Sequence, residues 1–209
     1  MEEFILYAYN FRSRSERVLW TLRELAFPHK VIRLDPFKGE TNTPEMLALN
    51  PSRKMPVLTQ GDRVFTESLP IMEYLNEISD GQALVPDTPY EHYQYRRLIH
   101  YGETEIEPYL WIAEQATRLS FIYRWPQGAD KDARHIAQQN FDALWPMVNE
   151  GDYIAGDRFT LADIYYYQMI RWAETHKIQF PENKRQAIAD YLKRLQDRPA
   201  FPEEMRGKP

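Results

Sequence analysis

Cysteine is absent from all 209 residues. That excludes disulfides, cysteine-ligated zinc and any thiolate nucleophile supplied by the protein itself. An excess of positive charge is missing too. Lys and Arg total 26 against 31 Asp and Glu, a net charge of -5, which argues against broad binding to nucleic-acid phosphates. No apolar run reaches the roughly 18 residues a membrane-spanning helix needs. The opening stretch, MEEFILYAYNFRSRSER, is too charged and its apolar part too short for a secretory leader, so a cytoplasmic protein is expected. No glycine-rich phosphate loop occurs. The five histidines, His29, His92, His100, His135 and His176, form no i, i+4 pair, so no metal site is expected. Apolar residues, by contrast, make up 43% of the chain, enough to build a core. With 14 Tyr and 5 Trp, aromatics are left either to line a pocket or to pack helices.

The first part of the chain mixes periods. Phe4–Ala8 reads as a buried strand, and residues 15–26 carry Val18, Leu19, Leu22 and Leu25 on one helical face. Residues 30–34 read as a second strand. Residues 55–59 and 64–66 flank the turn residues Gly61-Asp62 and read as a hairpin. Residues 69–78 look helical. The order is β-α-β, an irregular stretch with a short helix, then β-β-α, as a thioredoxin-like fold requires. Residues 79–90, SDGQALVPDTPY, read as a linker. Beyond it, helices are expected over about 91–118, 130–149, 160–176 and 184–197, with Pro108 and Pro146 kinking or splitting two of them. The fold class is therefore a thioredoxin-like domain over 1–78 followed by an all-helical domain over 91–209. Lys193, Arg194 and Arg198 read as a solvated helix face.

Four segments carry chemistry. Ser13 and Glu16 match an S-x-x-E capping box at the start of the first helix. A hydroxyl at a helix N-terminus can also donate to a thiolate and lower its pKa. Ser15 competes for that part. Pro56 in Lys54-Met55-Pro56-Val57-Leu58 opens a strand, which fits either a trans proline at a sheet edge or a cis peptide. The cis form would turn the Met55 backbone towards an extended ligand. Glu67 and Ser68 begin a helix. They either complement its dipole or take the ammonium and carboxylate of an amino-acid head group. Thr160 and Asp163 form a second capping box, with Phe159 and Ile164 as its hydrophobic staple.

Together, NPSRKMPVL, FTESLPIMEYL and FTLADI resemble the cytosolic glutathione S-transferase superfamily over essentially the whole chain, most of all its bacterial serine-type, theta-like members. The resemblance implies an enzyme that activates the thiol of glutathione for attack on small hydrophobic electrophiles. It implies Ser13 as the catalytic hydroxyl, with Ser15 and Tyr7 as fallbacks. It assigns Met55, Pro56, Glu67 and Ser68 to glutathione, with Lys54 near the glycyl carboxylate. Thr41 stands where theta-like members carry a histidine. Tyr9, Phe11, Tyr101, Tyr109 and Trp111 are expected to wall the electrophile site between the domains. Glutathione enters as co-substrate, without a metal, in a homodimer that binds neither nucleic acid nor membrane. Zeta-type isomerase chemistry is disfavoured, because the Ser-Ser-Cys run of that class is missing. Alternatives are a non-catalytic relative of the stringent-starvation type, which binds a protein partner or a hydrophobic ligand, and a glutathione-dependent peroxidase or reductase.

Overall fold

The computed structural model describes residues 2–10, 13–80, 83–148 and 151–206. The chain divides into two compact units, Met1–Val85 with Gln196–Lys208, and Pro86–Leu195.

The first unit is built on a four-stranded sheet of order β2-β1-β3-β4. β1 (Phe4–Tyr9) pairs in parallel with β2 (His29–Leu34), and α1 (Ser15–Glu24) makes the crossover that a parallel pair demands. β3 (Val57–Gln60) runs antiparallel to β1 and turns tightly into β4 (Arg63–Thr66). Gly61 sits in that turn at φ 56°, a backbone setting glycine takes without Cβ strain. Phe4, Leu6 and Ala8 are fully buried, while Ile5, Tyr7 and Tyr9 point the other way and are half-buried. α1 packs against β1 and against α3 (Ser68–Glu77). Tyr7 and Tyr9 pack instead on Met46, Met55 and Val57, a cluster completed by Leu49 of α2 (Pro44–Leu49).

The C-terminal segment corrects the expectation of one helical domain over 91–209. From Gln196 onward it clusters with the first unit. Arg198 grips both carboxylate oxygens of Glu24, at 2.7 and 2.8 Å, and so is no solvated face. Phe201 meets the edge of Trp20 at 4.9 Å, and Arg23 pairs with Glu204 at 3.0 Å. All three anchors sit on the C-terminal half of α1.

The second unit is helical, with α4 (Pro89–Tyr101), α5 (Glu107–Ala116), α6 (Ala129–Leu144), α7 (Leu161–Thr175) and α8 (Arg185–Gln196). Pro108 lies in the first turn of α5, where a missing N–H costs nothing, and Pro146 lies in the short turn that ends α6. α7 is the central helix. Its Tyr165, Tyr166 and Tyr167 are buried, with Tyr165 donating to the Glu107 carboxylate and Tyr166 to the Leu98 carbonyl, both at 2.7 Å. No helix among the described residues is long and apolar enough to cross a membrane.

A widened turn, Gly102–Ile106, joins α4 to α5. A Cβ on Gly102 would come within 2.5 Å of the Tyr165 ring, which is buried and tethered through its hydroxyl. Gly102→Ala is therefore expected to cost about 1–3 kcal/mol by overpacking. Urea titration reads this directly, and an unchanged midpoint would mean that the ring moves freely.

Candidate functional site

The strand register gathers the predicted residues at one end of the sheet. Val57 lies opposite Tyr7 on one side and Thr66 on the other. Chain leaving β1 after Tyr9, entering β3 before Val57 and leaving β4 after Thr66 therefore clusters at that end. Neighbouring strands there stand about 4.8 Å apart. These three exits carry Ser13, Met55-Pro56 and Glu67-Ser68. α1 and α3 both begin there, so two positive helix ends serve one place.

The Met55–Pro56 peptide is cis, as one of the two readings required. The Met55 side chain is buried in the Tyr7–Tyr9 cluster. Its N–H and C=O have no hydrogen-bond partner among the described residues. Lys54 is exposed, and its carbonyl accepts from Asn50 Nδ2 at 2.8 Å. Ser68 opens α3 with its residue 7% exposed. Glu67 precedes it at φ 69°, ψ 122°, a conformation that strains any residue with a Cβ. The Glu67 side chain is exposed and makes no hydrogen bond among the described residues. Thr41 is 4% exposed and so is buried.

Ser13 differs from its expected place by one residue. Arg14, not Ser13, is the N-cap of α1. The return half of the capping box survives, since the Ser13 N–H donates to Glu16 Oε2 at 2.5 Å. The Ser13 hydroxyl oxygen accepts from the Ser15 N–H at 3.2 Å, a turn one residue shorter than a capping box. Ser13 is half-buried, whereas Ser15 is fully buried. Tyr7 is half-buried beneath the Met55 cluster.

The expected electrophile residues are spread over both units. Tyr9 packs on the Met55 cluster, and Phe11 lies outside the described residues. In the helical unit, Tyr101 donates to the Asn140 carbonyl at 2.9 Å, and burial raises its phenol pKa. Trp111 stands edge-on to Tyr123 at 5.9 Å and near Trp172 at 6.4 Å. Tyr109 is half-buried on α5. Among the described residues no group of His, Asp and Glu could hold a metal ion.

The Thr160–Asp163 box is present and extended. Asp163 accepts from the Thr160 N–H at 2.7 Å, the Ile154 N–H at 2.8 Å and the Tyr191 hydroxyl at 3.0 Å. The latter two partners escaped the sequence reading, as did Arg33, which donates to Glu16 at 2.6 Å. Arg33 had one visible signal, a charge set between the apolar residues Ile32 and Leu34 of β2.

An exposed carboxylate at Glu67, hydroxyls at the starts of two helices and a Met55 backbone without a hydrogen-bond partner among the described residues thus come to one end of the sheet. Residues 11–78 match the family model of the glutathione S-transferase N-terminal domain, and residues 115–199 that of the C-terminal domain. The chain is 32% identical to glutathione S-transferase 1 of Dianthus caryophyllus over 77% of this chain and 72% of that protein. It is 27% identical to a probable maleylacetoacetate isomerase of Vibrio cholerae over 96% and 94% of the two chains. A glutathione transferase of Phanerochaete chrysosporium, solved with oxidized glutathione, superposes at a TM-score of 0.81, with 24% identity over 97% of this chain and 94% of that one. With the thioredoxin-like sheet, the helical unit and both family models in agreement, the chain belongs to the glutathione S-transferase family.

Proposed function

We propose that this protein is a glutathione transferase that binds glutathione across the end of its sheet and activates the thiol with Ser13. The observation that carries this reading is that the loops bearing Ser13, Met55-Pro56 and Glu67-Ser68 leave the sheet at one end, where α1 and α3 begin. Glu67 takes the γ-glutamyl ammonium. The Ser68 hydroxyl and the first N–H groups of α3 take its carboxylate. The Met55 N–H and C=O pair with the cysteinyl backbone as an added strand. Ser13 donates its hydroxyl proton to the thiolate, whose pKa then falls below the free value of about 8.5. No general base is required once the thiol ionises on binding, and holding both reactants together supplies the proximity gain. Ser13 is favoured over Ser15 because it is the more exposed of the two.

The test is the ultraviolet thiolate spectrum of bound glutathione across pH. Ser13→Ala is expected to raise the bound thiol pKa by about one unit, close to tenfold less thiolate at neutral pH. A wild-type protein that binds no glutathione, or a bound pKa equal to the free one, sinks the reading. An unshifted Ser13→Ala variant would move the role to Tyr7 or Ser15.

A second reading is favoured by the Vibrio relative, whose name is that of an isomerase and whose match spans nearly the whole chain. The same thiolate would add reversibly to a conjugated double bond and leave after rotation. The missing Ser-Ser-Cys run weighs against it. Turnover that leaves total glutathione unchanged would establish isomerisation, and consumption of glutathione would establish conjugation.

A further inference from the structure

The mouth of α1 holds an ion pair between a buried Glu16 and a half-buried Arg33 that thiol activation by Ser13 does not require. Glu16 is 1% exposed. Its Oε1 accepts from Arg33 Nη1 at 2.6 Å. Its Oε2 accepts from the Ser13 N–H at 2.5 Å and lies 3.3 Å from the Ser13 hydroxyl oxygen. Arg33 reaches across from β2, where it also donates to the Tyr9 carbonyl at 3.0 Å. Among the described residues Glu16 is held by Ser13 from its own loop and by Arg33 from β2, and the Ser13 hydroxyl oxygen lies 3.1 Å from that of Ser15.

The Ser13 hydroxyl has one proton. Its oxygen already accepts from the Ser15 N–H. Among the described residues the Ser15 oxygen and the Glu16 carboxylate compete for the proton, and a ligand anion would compete with both. A carboxylate at this distance fixes the hydroxyl rotamer and at the same time opposes a second negative charge beside it. Arg33 offsets that opposition. Position and charge therefore act in opposite directions, and substitutions can separate them.

We propose that Glu16, balanced by Arg33, is a positioning residue that aims the Ser13 hydroxyl and sets how far the bound thiol is acidified. The proposal rests on the glutathione reading above. Glu16→Gln keeps an acceptor of the same shape and removes the charge. The bound thiol pKa falls by about one unit, with the KM for glutathione unchanged. Arg33→Gln keeps a donor towards Glu16 and removes the counter-charge, so the bound thiol pKa rises by a similar amount. Opposite signs from the two ends of one ion pair distinguish charge from damage, because a loosened α1 would move both variants towards the free thiol. Glu16→Asp restores charge and hydrogen bond and returns the pKa towards wild type.

The experiment is the spectroscopic titration of bound glutathione in wild type, Ser13→Ala, Glu16→Gln, Arg33→Gln and Glu16→Asp. Opposite shifts, with rescue by Asp, support the proposal. Shifts of the same sign, or none, alongside a shifted Ser13→Ala overturn it and leave the glutathione reading standing. Wild type without bound glutathione overturns both. If Glu16→Gln does not fold, Arg33→Gln and Arg33→Lys decide together: a rise in Arg33→Gln that Arg33→Lys reverses supports the proposal, and a fall, no change or an equal rise in both contradicts it.

Discussion

Asp163→Ala should lower stability by about 4 kcal/mol, enough to leave much of a typical domain's 5–15 kcal/mol at risk. The carboxylate is fully buried and accepts from the Thr160 N–H, the Ile154 N–H and the Tyr191 hydroxyl. Removing it abolishes the cap of α7, worth about 1–2 kcal/mol. It also strands the Ile154 N–H and the Tyr191 hydroxyl, each at about 1–3 kcal/mol. α7 is the helix against which α4 and α5 pack, so the damage does not stay local. The same residue gives stability a pH dependence. Burial pushes the Asp163 carboxyl from 3.8 up to about 6, against the pull of its hydrogen bonds. The folded protein therefore holds this proton more tightly than the unfolded chain between those values. Its contribution is greatest below about pH 4 and declines as pH rises to about 6. Glu114 works in the opposite sense. Burial raises its pKa, but the hydrogen bond from His176, the charge of Arg118 and the hydrogen bond from Trp172 outweigh that and hold it below 4.5. Its contribution is present above that pH and lost on acidification. Between about pH 4.5 and 6 the Glu114 contribution is in place while the Asp163 contribution declines, so these two groups together should lower stability across that range. Urea titrations from pH 3 to 8 would show the decline, and a monotonic rise to pH 7 would contradict the Asp163 assignment.

How much of this was legible in the sequence depended on how far apart the interacting residues lie along the chain. The Thr160–Asp163 box spans three residues and announces itself. Its partners Ile154 and Tyr191 are set by tertiary packing and left no local mark. Thr88 and Glu91 form an equally local signal: Thr88 accepts from the Glu91 N–H, and Pro89 takes the first turn of α4. Read as capping chemistry, it would have started that helix at its observed boundary rather than at 91. Ser13 and Glu16 were legible as partners, but the turn tightened by one residue because the Ser13 hydroxyl found the Ser15 N–H first. Arg198 was misread because its partner, Glu24, lies far upstream in sequence. Thr41 was named from resemblance alone, and no periodicity could have told that it is buried. The β-α-β and β-β-α order was readable because strand and helix periods differ so plainly. The parallel pairing of β1 with β2 follows once α1 is accepted as a crossover, whereas the seating of β3 beside β1, and with it the convergence of three loops, is set by tertiary pairing.

Glu67→Gly should weaken glutathione binding by about 100-fold while making the protein more stable by about 1 kcal/mol. The two signs come from one residue. Glu67 holds φ 69° and ψ 122° at the threshold of α3, a conformation that costs a residue with a Cβ about 1–3 kcal/mol. Glycine loses that penalty and gives back only about 0.5–1 kcal/mol through the greater freedom of the unfolded chain. The structure offers the strain no local return, because among the described residues the Glu67 side chain makes no hydrogen bond. On the proposed reading the return is the ligand: the turned backbone carries a carboxylate to the sheet end beside Ser68. A charge-assisted bond to the γ-glutamyl ammonium contributes about 1.5–3 kcal/mol, or roughly 10-fold to 150-fold in affinity. Glu67→Ala separates the two effects, since it loses the carboxylate but keeps the strain. It should bind as weakly as the glycine variant and be no more stable than wild type. Calorimetric titration with glutathione and urea unfolding of the three proteins decide the matter. If glycine weakens binding without stabilising, the backbone geometry carries no strain. If it stabilises without weakening binding, Glu67 does not hold the head group, and the ammonium site must be sought elsewhere on the sheet end.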